Sequence, residues 1–281
     1  MTQKFYQTDS FLQKMIKLIR QCNKIVLDVY NDSNSDFTVI TKDDNSPLTR
    51  ADTQCNDCIC DFLKDFNTTI PNIEESDIGI ISEEIKNETY DNRKNLEWTW
   101  LVDPLDGTKE FIKKTGEFTV NIGLCHFGVP VFGAVSIPVT GEIYCGIKDR
   151  GSYKMNKNTS LVKLEIPSKN LETLKTQQGS RIVASVSHLN TETQTYIDQF
   201  NEPSIVNAGS SIKLLWIAEN KADVYPRIAP TSEWDTCAAH AVVKYAGGHV
   251  VKYSGMNDVN DSESELEYNK ENILNPYFVV Y

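Results

Sequence analysis

The residues best placed to do chemistry are the carboxylates of the run Trp100-Leu101-Val102-Asp103-Pro104-Leu105-Asp106-Gly107-Thr108-Lys109-Glu110. Leu101 and Val102 read as the end of a buried strand, and Pro104, with no N–H to donate, stops regular pairing just after Asp103. Asp106 follows in a turn that Gly107 lets close tightly. Two carboxylates on one turn at a strand end make an address for a hard divalent cation such as Mg²⁺. Asp-Pro and Asp-Gly pairs also occur in turns that are merely solvated, so two further acidic segments carry the argument. In Ile80-Ile81-Ser82-Glu83-Glu84 an apolar run ends in paired carboxylates, and in Ser232-Glu233-Trp234-Asp235-Thr236-Cys237-Ala238-Ala239-His240 an Asp stands at a helix start, where the dipole tolerates negative charge. Glu83, Asp103, Asp106 and Asp235 together are enough for two or three Mg²⁺ ions. Buried without cations, they would repel one another and their pKa values would rise.

The elements that must position these groups follow from periodicity. Residues 9–30 read as an amphipathic helix, 37–40 as a strand, and Thr49 as the cap of a helix reaching Phe66 with Asp52 in its first turn. Residues 78–82 read as a short buried strand and 85–97 as a surface loop. From Trp98 the chain turns β-rich (98–102, 119–126, 131–138, 142–147, 151–155), with Gly128-Val129-Pro130 and Thr140-Gly141 as turn signals and a short helix at 110–114. After Arg181, strands (181–185, 205–208, 223–225, 248–253, 277–281) alternate with helices (191–200, 212–219, 234–246), and 256–272 is an acidic loop. The expected class is α/β in the mixed α+β sense. An N-terminal lobe, 1–157, would carry most metal ligands, and a C-terminal α/β lobe, 158–281, the last one and the substrate cations.

With 281 residues, 40% of them hydrophobic, the chain can bury a sizeable core. A net charge of −11 argues against nucleic-acid or membrane binding and repels an anionic substrate, so phosphate recognition must rest on metal ions and a few local cations. No apolar run is long enough to span a bilayer, and the opening residues lack a signal-peptide profile, so the seven cysteines read as reduced thiols in the cytoplasm. Peripheral attachment to the inner face of a membrane stays open, as does oligomeric state. Cys55-Asn56-Asp57-Cys58-Ile59-Cys60 has zinc-like spacing but no matching Cys or His pair downstream; its helical periodicity with Phe62, Leu63 and Phe66 favours packing.

The chain resembles the inositol monophosphatase superfamily of Mg²⁺-dependent, lithium-sensitive phosphatases, and within it the CysQ-type 3′(2′),5′-bisphosphate nucleotidases. Asp-Pro-Leu-Asp-Gly-Thr from Asp103 with the downstream Trp234-Asp235 carries the superfamily likeness. Lys109-Glu110-Phe111-Ile112, Gly209-Ser210-Ser211 and Tyr225-Pro226-Arg227 point to the nucleotidase branch, and further matching segments are Asp44–Asp52, Gly116–Ile122 and Leu274-Asn275-Pro276. The resemblance implies a layered αβαβα fold. It implies that Glu83, Asp103 and the Leu105 carbonyl hold one Mg²⁺, and Asp103, Asp106 and Asp235 a second. Asp52 and Thr108 would form the pair that activates the attacking water, with the N–H groups of Gly107 and Thr108 on the phosphate. Lys109, His188, Gly209, Ser210, Lys213 and Arg227 would surround the substrate, Arg227 gripping phosphate bidentately and Lys213 as a point charge. His126, His240 and His249 read as packed rather than catalytic. The implied reaction is removal of the 3′-phosphate from adenosine 3′,5′-bisphosphate, giving AMP, with its sulfated relative as a further candidate substrate. The competing readings are an inositol or sugar-bisphosphate phosphatase and an inactive regulatory or RNA-binding relative.

Overall fold

The structure, a computed structural model, describes residues 4–32, 40–41, 47–157, 161–184, 190–255 and 264–281, with backbone alone at 40 and 41. Helix α1 (Asp9–Asn31) is capped by Thr8, whose hydroxyl accepts the Phe11 N–H, and it buries Phe11, Leu12, Met15, Leu18, Ile19, Cys22, Val26 and Val29 as a stripe at helical spacing. Strands β1 (Ile40–Thr41) and β2 (Pro47–Leu48) pair antiparallel. Residues 37–39 of the strand expected at 37–40 lie outside the described residues. Helix α2 (Arg50–Asn67) begins at the expected Thr49 cap, with Asp52 closing a capping box.

Seven strands follow: β3 (Ile78–Ser82), β4 (Trp98–Asp106), β5 (Thr119–His126), β6 (Val129–Ile137), β7 (Glu142–Ile147), β8 (Gly151–Met155) and β9 (Val162–Leu164). They form one sheet in chain order. Only β3 runs parallel to its neighbour; the other pairings are antiparallel. The parallel step lies across 83–97, where the expected loop contains a short helix, α3 (Tyr90–Arg93). Helix α4 (Thr108–Ile112) leaves the end of β4.

The second half comprises α5 (Leu171–Thr176), β10 (Arg181–Ala184), α6 (Thr191–Ile197), β11 (Ser204–Asn207), α7 (Ile212–Ala218), β12 (Tyr225–Arg227), α8 (Glu233–Ala246), β13 (Val250–Lys252) and β14 (Phe278–Val280). The sequence reading contained no α5, and it placed the strand now called β12 at 223–225. It starts later because the N–H groups of Asp223 and Val224 both turn to the Arg181 carbonyl. β10 pairs parallel with β11, β14 pairs with both β12 and β13, and a parallel bridge from Ile182 to Val224 joins the two pieces.

Three apolar clusters show the layering. The first joins α1 and α2 to Trp100, Val102, Phe132 and Ala134 on one face of the large sheet. The second joins Leu101 and Val135 on its other face to α7, α8 and the near face of the small sheet at Val250 and Val280. The third joins Val251 and Val279 on the far face to α5 and α6. Adjacent residues divide between clusters because strand side chains alternate. The order is therefore helix, sheet, helix, sheet, helix, the expected αβαβα arrangement. Helix α8 lies so close to the large sheet that a Cβ at Gly133 would fall 2.0 Å from the Ala238 carbonyl oxygen. That contact fixes the height of α8, and hence of Asp235 in its first turn, above β4.

Candidate active site

In a regular strand, residues three apart face opposite sides. Asp103 and Asp106 do not, because β4 bulges between them: Asp103 pairs with Asn121 and Asp106 with Thr119, one residue extra on the β4 side. Asn121 and Thr119 are two apart and share a face, so the two aspartates do as well. Glu83 follows β3 directly, and its N–H donates to the Val102 carbonyl, which sets it beside Asp103. Asp235 arrives from α8, where its Oδ2 accepts the Ser232 N–H at 2.8 Å in a capping box.

These four carboxylates form one electrostatic unit. Burial, then repulsion from Glu83, Asp106 and Asp235, holds the Asp103 carboxyl well above the ordinary range. Burial and Asp106 push Asp235 up to about 8. Among the described residues no three His, Cys, Asp or Glu side chains meet closely enough to hold an ion between them. Each aspartate also has one oxygen tied to the protein. Asp103 Oδ1 accepts the Leu105 N–H at 3.0 Å, and Asp106 Oδ2 accepts Ser210 Oγ and the Ser211 N–H, both at 2.7 Å, and Ser211 Oγ at 3.1 Å. An all-oxygen, mutually repelling donor set that includes the Leu105 carbonyl fits a hard divalent cation.

Thr108 Oγ1 lies 3.1 Å from Asp52 Oδ1 and 3.3 Å from the Leu105 carbonyl oxygen. Its single proton goes to the carboxylate, the stronger acceptor. Asp52 Oδ2 accepts both the N–H and the hydroxyl of Thr49, at 2.8 and 2.5 Å. Burial lifts the Asp52 carboxyl above its ordinary value against the pull of those bonds. Gly107 is the N-cap of α4; its φ of 94° is left-handed.

A cleft of about 340 Å³ opens beside the carboxylates, lined among others by Asp106, Gly107, Lys109, Gly209, Ser210, Lys213, Arg227 and Asp235. Lys213 is buried, donates to the Ser210 carbonyl at 2.8 Å and lies over the Tyr225 ring. Burial lowers its pKa to about 8, although Asp106 pulls the other way. Arg227 Nη2 donates to the Pro230 carbonyl at 2.9 Å, while its buried Nε has no hydrogen-bond partner among the described residues. Lys109 is exposed at the rim. His188 lies outside the described residues.

The sequence reading overlooked Ser211, and Thr119 and Asn121 as site neighbours. The signal available for the last two was a pair of polar residues, two apart, in the otherwise apolar Thr119–Ile122 stretch. Among the histidines, His240 is fully buried against the Tyr268 hydroxyl at 2.9 Å, and His126 contacts Glu97 at 2.9 Å. Cys55 and Cys60 are buried and Cys58 is half-buried on α2, all as free thiols.

The profile of the inositol monophosphatase family matches residues 7–276. The chain belongs to the inositol monophosphatase family. Within that family it is 35% identical over 270 residues to the 3′(2′),5′-bisphosphate nucleotidase CysQ of Escherichia coli K12, covering 96% of this chain and 98% of that protein. It is 37% identical to the enzyme of the same name from Buchnera aphidicola, over 88% of this chain and 86% of that one. The crystal structure of CysQ from Bacteroides thetaiotaomicron, described as a bacterial member of the inositol monophosphatase family, superposes with a TM-score of 0.76 at 38% identity over 96% of both chains. A Thermotoga maritima inositol monophosphatase superposes at 0.68 with 19% identity, a likeness of fold alone.

Proposed function

We propose that this chain is a Mg²⁺-dependent 3′(2′),5′-bisphosphate nucleotidase that hydrolyses the 3′-phosphate of adenosine 3′,5′-bisphosphate to AMP and phosphate. The observation that carries the reading is the pairing, in one cleft, of a carboxylate cluster at Asp106 and Asp235 with cations at Lys213 and Arg227. The cluster suits the phosphate that is cleaved, and the cations suit a second phosphate that is kept. An inositol monophosphate has no second phosphate to use them. The names of the most similar relatives point the same way.

Two or three Mg²⁺ ions held by Glu83, Asp103, the Leu105 carbonyl, Asp106 and Asp235 would neutralise phosphate charge and make water at the site more acidic. The chain's own part is to orient and deprotonate. Thr108 donates its proton to Asp52, which leaves a lone pair on its hydroxyl oxygen to accept a proton from the attacking water. Asp52, made more basic by burial, then takes the hydroxyl proton. The N–H groups of Gly107 and Thr108 at the start of α4 hold the phosphate oxygens. The sulfated adenylate is a further substrate on this reading. No helix among the described residues is long and apolar enough to cross a membrane, and the cytoplasm is the proposed location.

Phosphate release with Mg²⁺ from adenosine 3′,5′-bisphosphate, inositol 1-phosphate and fructose 1,6-bisphosphate, with and without lithium, tests the proposal. Preference for the nucleotide, lost on adding lithium, is expected. Preference for inositol phosphate would discard the nucleotide site, and no release from any of the three would favour a regulatory protein.

A further inference from the structure

Asp106 is held by a chain of hydroxyls that begins in the neighbouring strand. Thr119 stands directly across from it on β5. The Ser210 hydroxyl, which comes from the turn before α7, inserts between the two: it is 2.5 Å from Thr119 Oγ1 and 2.7 Å from Asp106 Oδ2. Behind Thr119, Asn121 Nδ2 lies 3.1 Å from the same threonine oxygen. Thr119 and Asn121 are both fully buried.

Donor counting gives this chain a direction. Each hydroxyl has one proton. An ionised Asp106 only accepts, so Ser210 donates to it. Ser210 then has to accept from Thr119, and Thr119 from Asn121. The donors run Asn121, Thr119, Ser210, Asp106, each dipole aimed at the carboxylate, and hydrogen bonds aligned in this way strengthen one another. Ser210 itself is a non-glycine residue at φ 52°, a left-handed conformation that needs support from its surroundings. Its carbonyl receives Lys213 Nζ at 2.8 Å. One strained residue thus touches a carboxylate of the cluster through its side chain and a cation of the substrate cleft through its backbone.

We propose that Thr119 is a positioning residue: acting through Ser210, it fixes the rotamer of Asp106 so that the other carboxylate oxygen is presented to a divalent cation, and it holds the turn before α7 whose Ser210 carbonyl accepts Lys213 Nζ. This rests on the reading of Asp106 as a metal ligand. Neither Thr119 nor Asn121 touches substrate in this role.

The test is Mg²⁺ binding to the metal-stripped protein, by calorimetry and by the Mg²⁺-dependent rise in Tm, without substrate. Thr119→Val keeps the shape and removes the hydroxyl; it should weaken Mg²⁺ binding roughly three- to tenfold, the range expected for one hydrogen bond. Thr119→Ser should restore it. Ser210→Gly tolerates the left-handed φ and removes the hydroxyl on a more accessible turn, so it remains informative if Thr119→Val does not fold. In the Ser210→Gly background, adding Thr119→Val should cost no further Mg²⁺ affinity, because the route to Asp106 is already cut. Wild-type affinity in Thr119→Val, or independent, additive losses at 119 and 210, would overturn the inference. If the wild-type protein itself binds no Mg²⁺, the metal reading falls first.

Discussion

Thr108 Oγ1 and Asp52 Oδ1 are 3.1 Å apart although 56 residues separate them in the chain. The contact joins the first turn of α4, at the end of the bulged strand, to the first turn of α2 on the helical layer beneath it. Asp52 is held there by its own helix cap, since Thr49 supplies two hydrogen bonds to its other oxygen.

Removing either member of this pair should slow the chemical step without loss of fold. Asp52→Asn retains an acceptor for the Thr49 cap but not the basicity. We expect kcat to fall about 10²–10⁴-fold, as for loss of a general base, with KM little changed. Thr108→Val should match it, Thr108→Ser should recover most activity, and the double variant Asp52→Asn/Thr108→Val should be no worse than either single one. Steady-state kinetics with circular dichroism as a fold control measures this; additive losses would separate the two residues.

Asp106→Asn keeps an oxygen for Ser210 and Ser211 but removes a negative charge from the cluster. Hydrolysis should drop by about 10²–10³-fold or more, the size of effect expected when transition-state charge stabilisation is lost. Near wild-type turnover at any Mg²⁺ concentration would remove Asp106 from the metal site.

Metal removal should expose the repulsion among the carboxylates. Asp103 is buried beside Glu83, Asp106 and Asp235, and its carboxyl is raised accordingly. Asp103→Asn should therefore raise Tm in EDTA, by about 2–4 °C per kcal/mol of relief, and abolish the further rise that Mg²⁺ gives the wild type. Calorimetry in EDTA and in Mg²⁺ reads both arms; a lower Tm in EDTA for the variant would show that the metal-free cluster is not under strain.

Arg227→Ala should raise KM for adenosine 3′,5′-bisphosphate about 10–100-fold, as for a charged hydrogen bond, while kcat changes little. With a 3′-nucleotide that lacks the 5′-phosphate, the variant and the wild type should be alike. Equal kinetics on the bisphosphate would sink the assignment.

Lys213 sets a pH limit. Burial lowers its pKa to about 8, so its charge is present below that pH and lost above it. Affinity for an anionic substrate should therefore weaken as pH rises past 8, seen as a rising KM. Lys213→Arg, which stays charged, should flatten that rise. A flat wild-type profile between pH 7 and 9.5 would remove Lys213 from substrate binding.

Much of this was legible in the chain. The Asp-Gly turn after Asp106, the Thr49 cap with Asp52 in its first turn and the alternating apolar strands are local patterns, and local patterns follow from dihedral preferences, capping and side-chain periodicity; the strand read as 98–102 instead runs on through Pro104 to Asp106, because a bulge absorbs the residue that cannot pair. The grouping of Glu83 and Asp235 with Asp103 and Asp106 came from their acidic segments, and sequence resemblance added the layered fold and the pairing of Asp52 with Thr108.

What only the tertiary structure decided is set by register and by docking height. Asp103 and Asp106 share a face because β4 bulges against β5, and no periodicity announces which residue is the extra one. Asp235 reaches the cluster because α8 settles on the glycines of the large sheet. The hydroxyl chain from Thr119 through Ser210 to Asp106 joins residues 91 and 104 positions apart. Hydrogen bonds of that range depend on sub-ångström placement of two packed layers, which is a property of the whole core rather than of any segment within it.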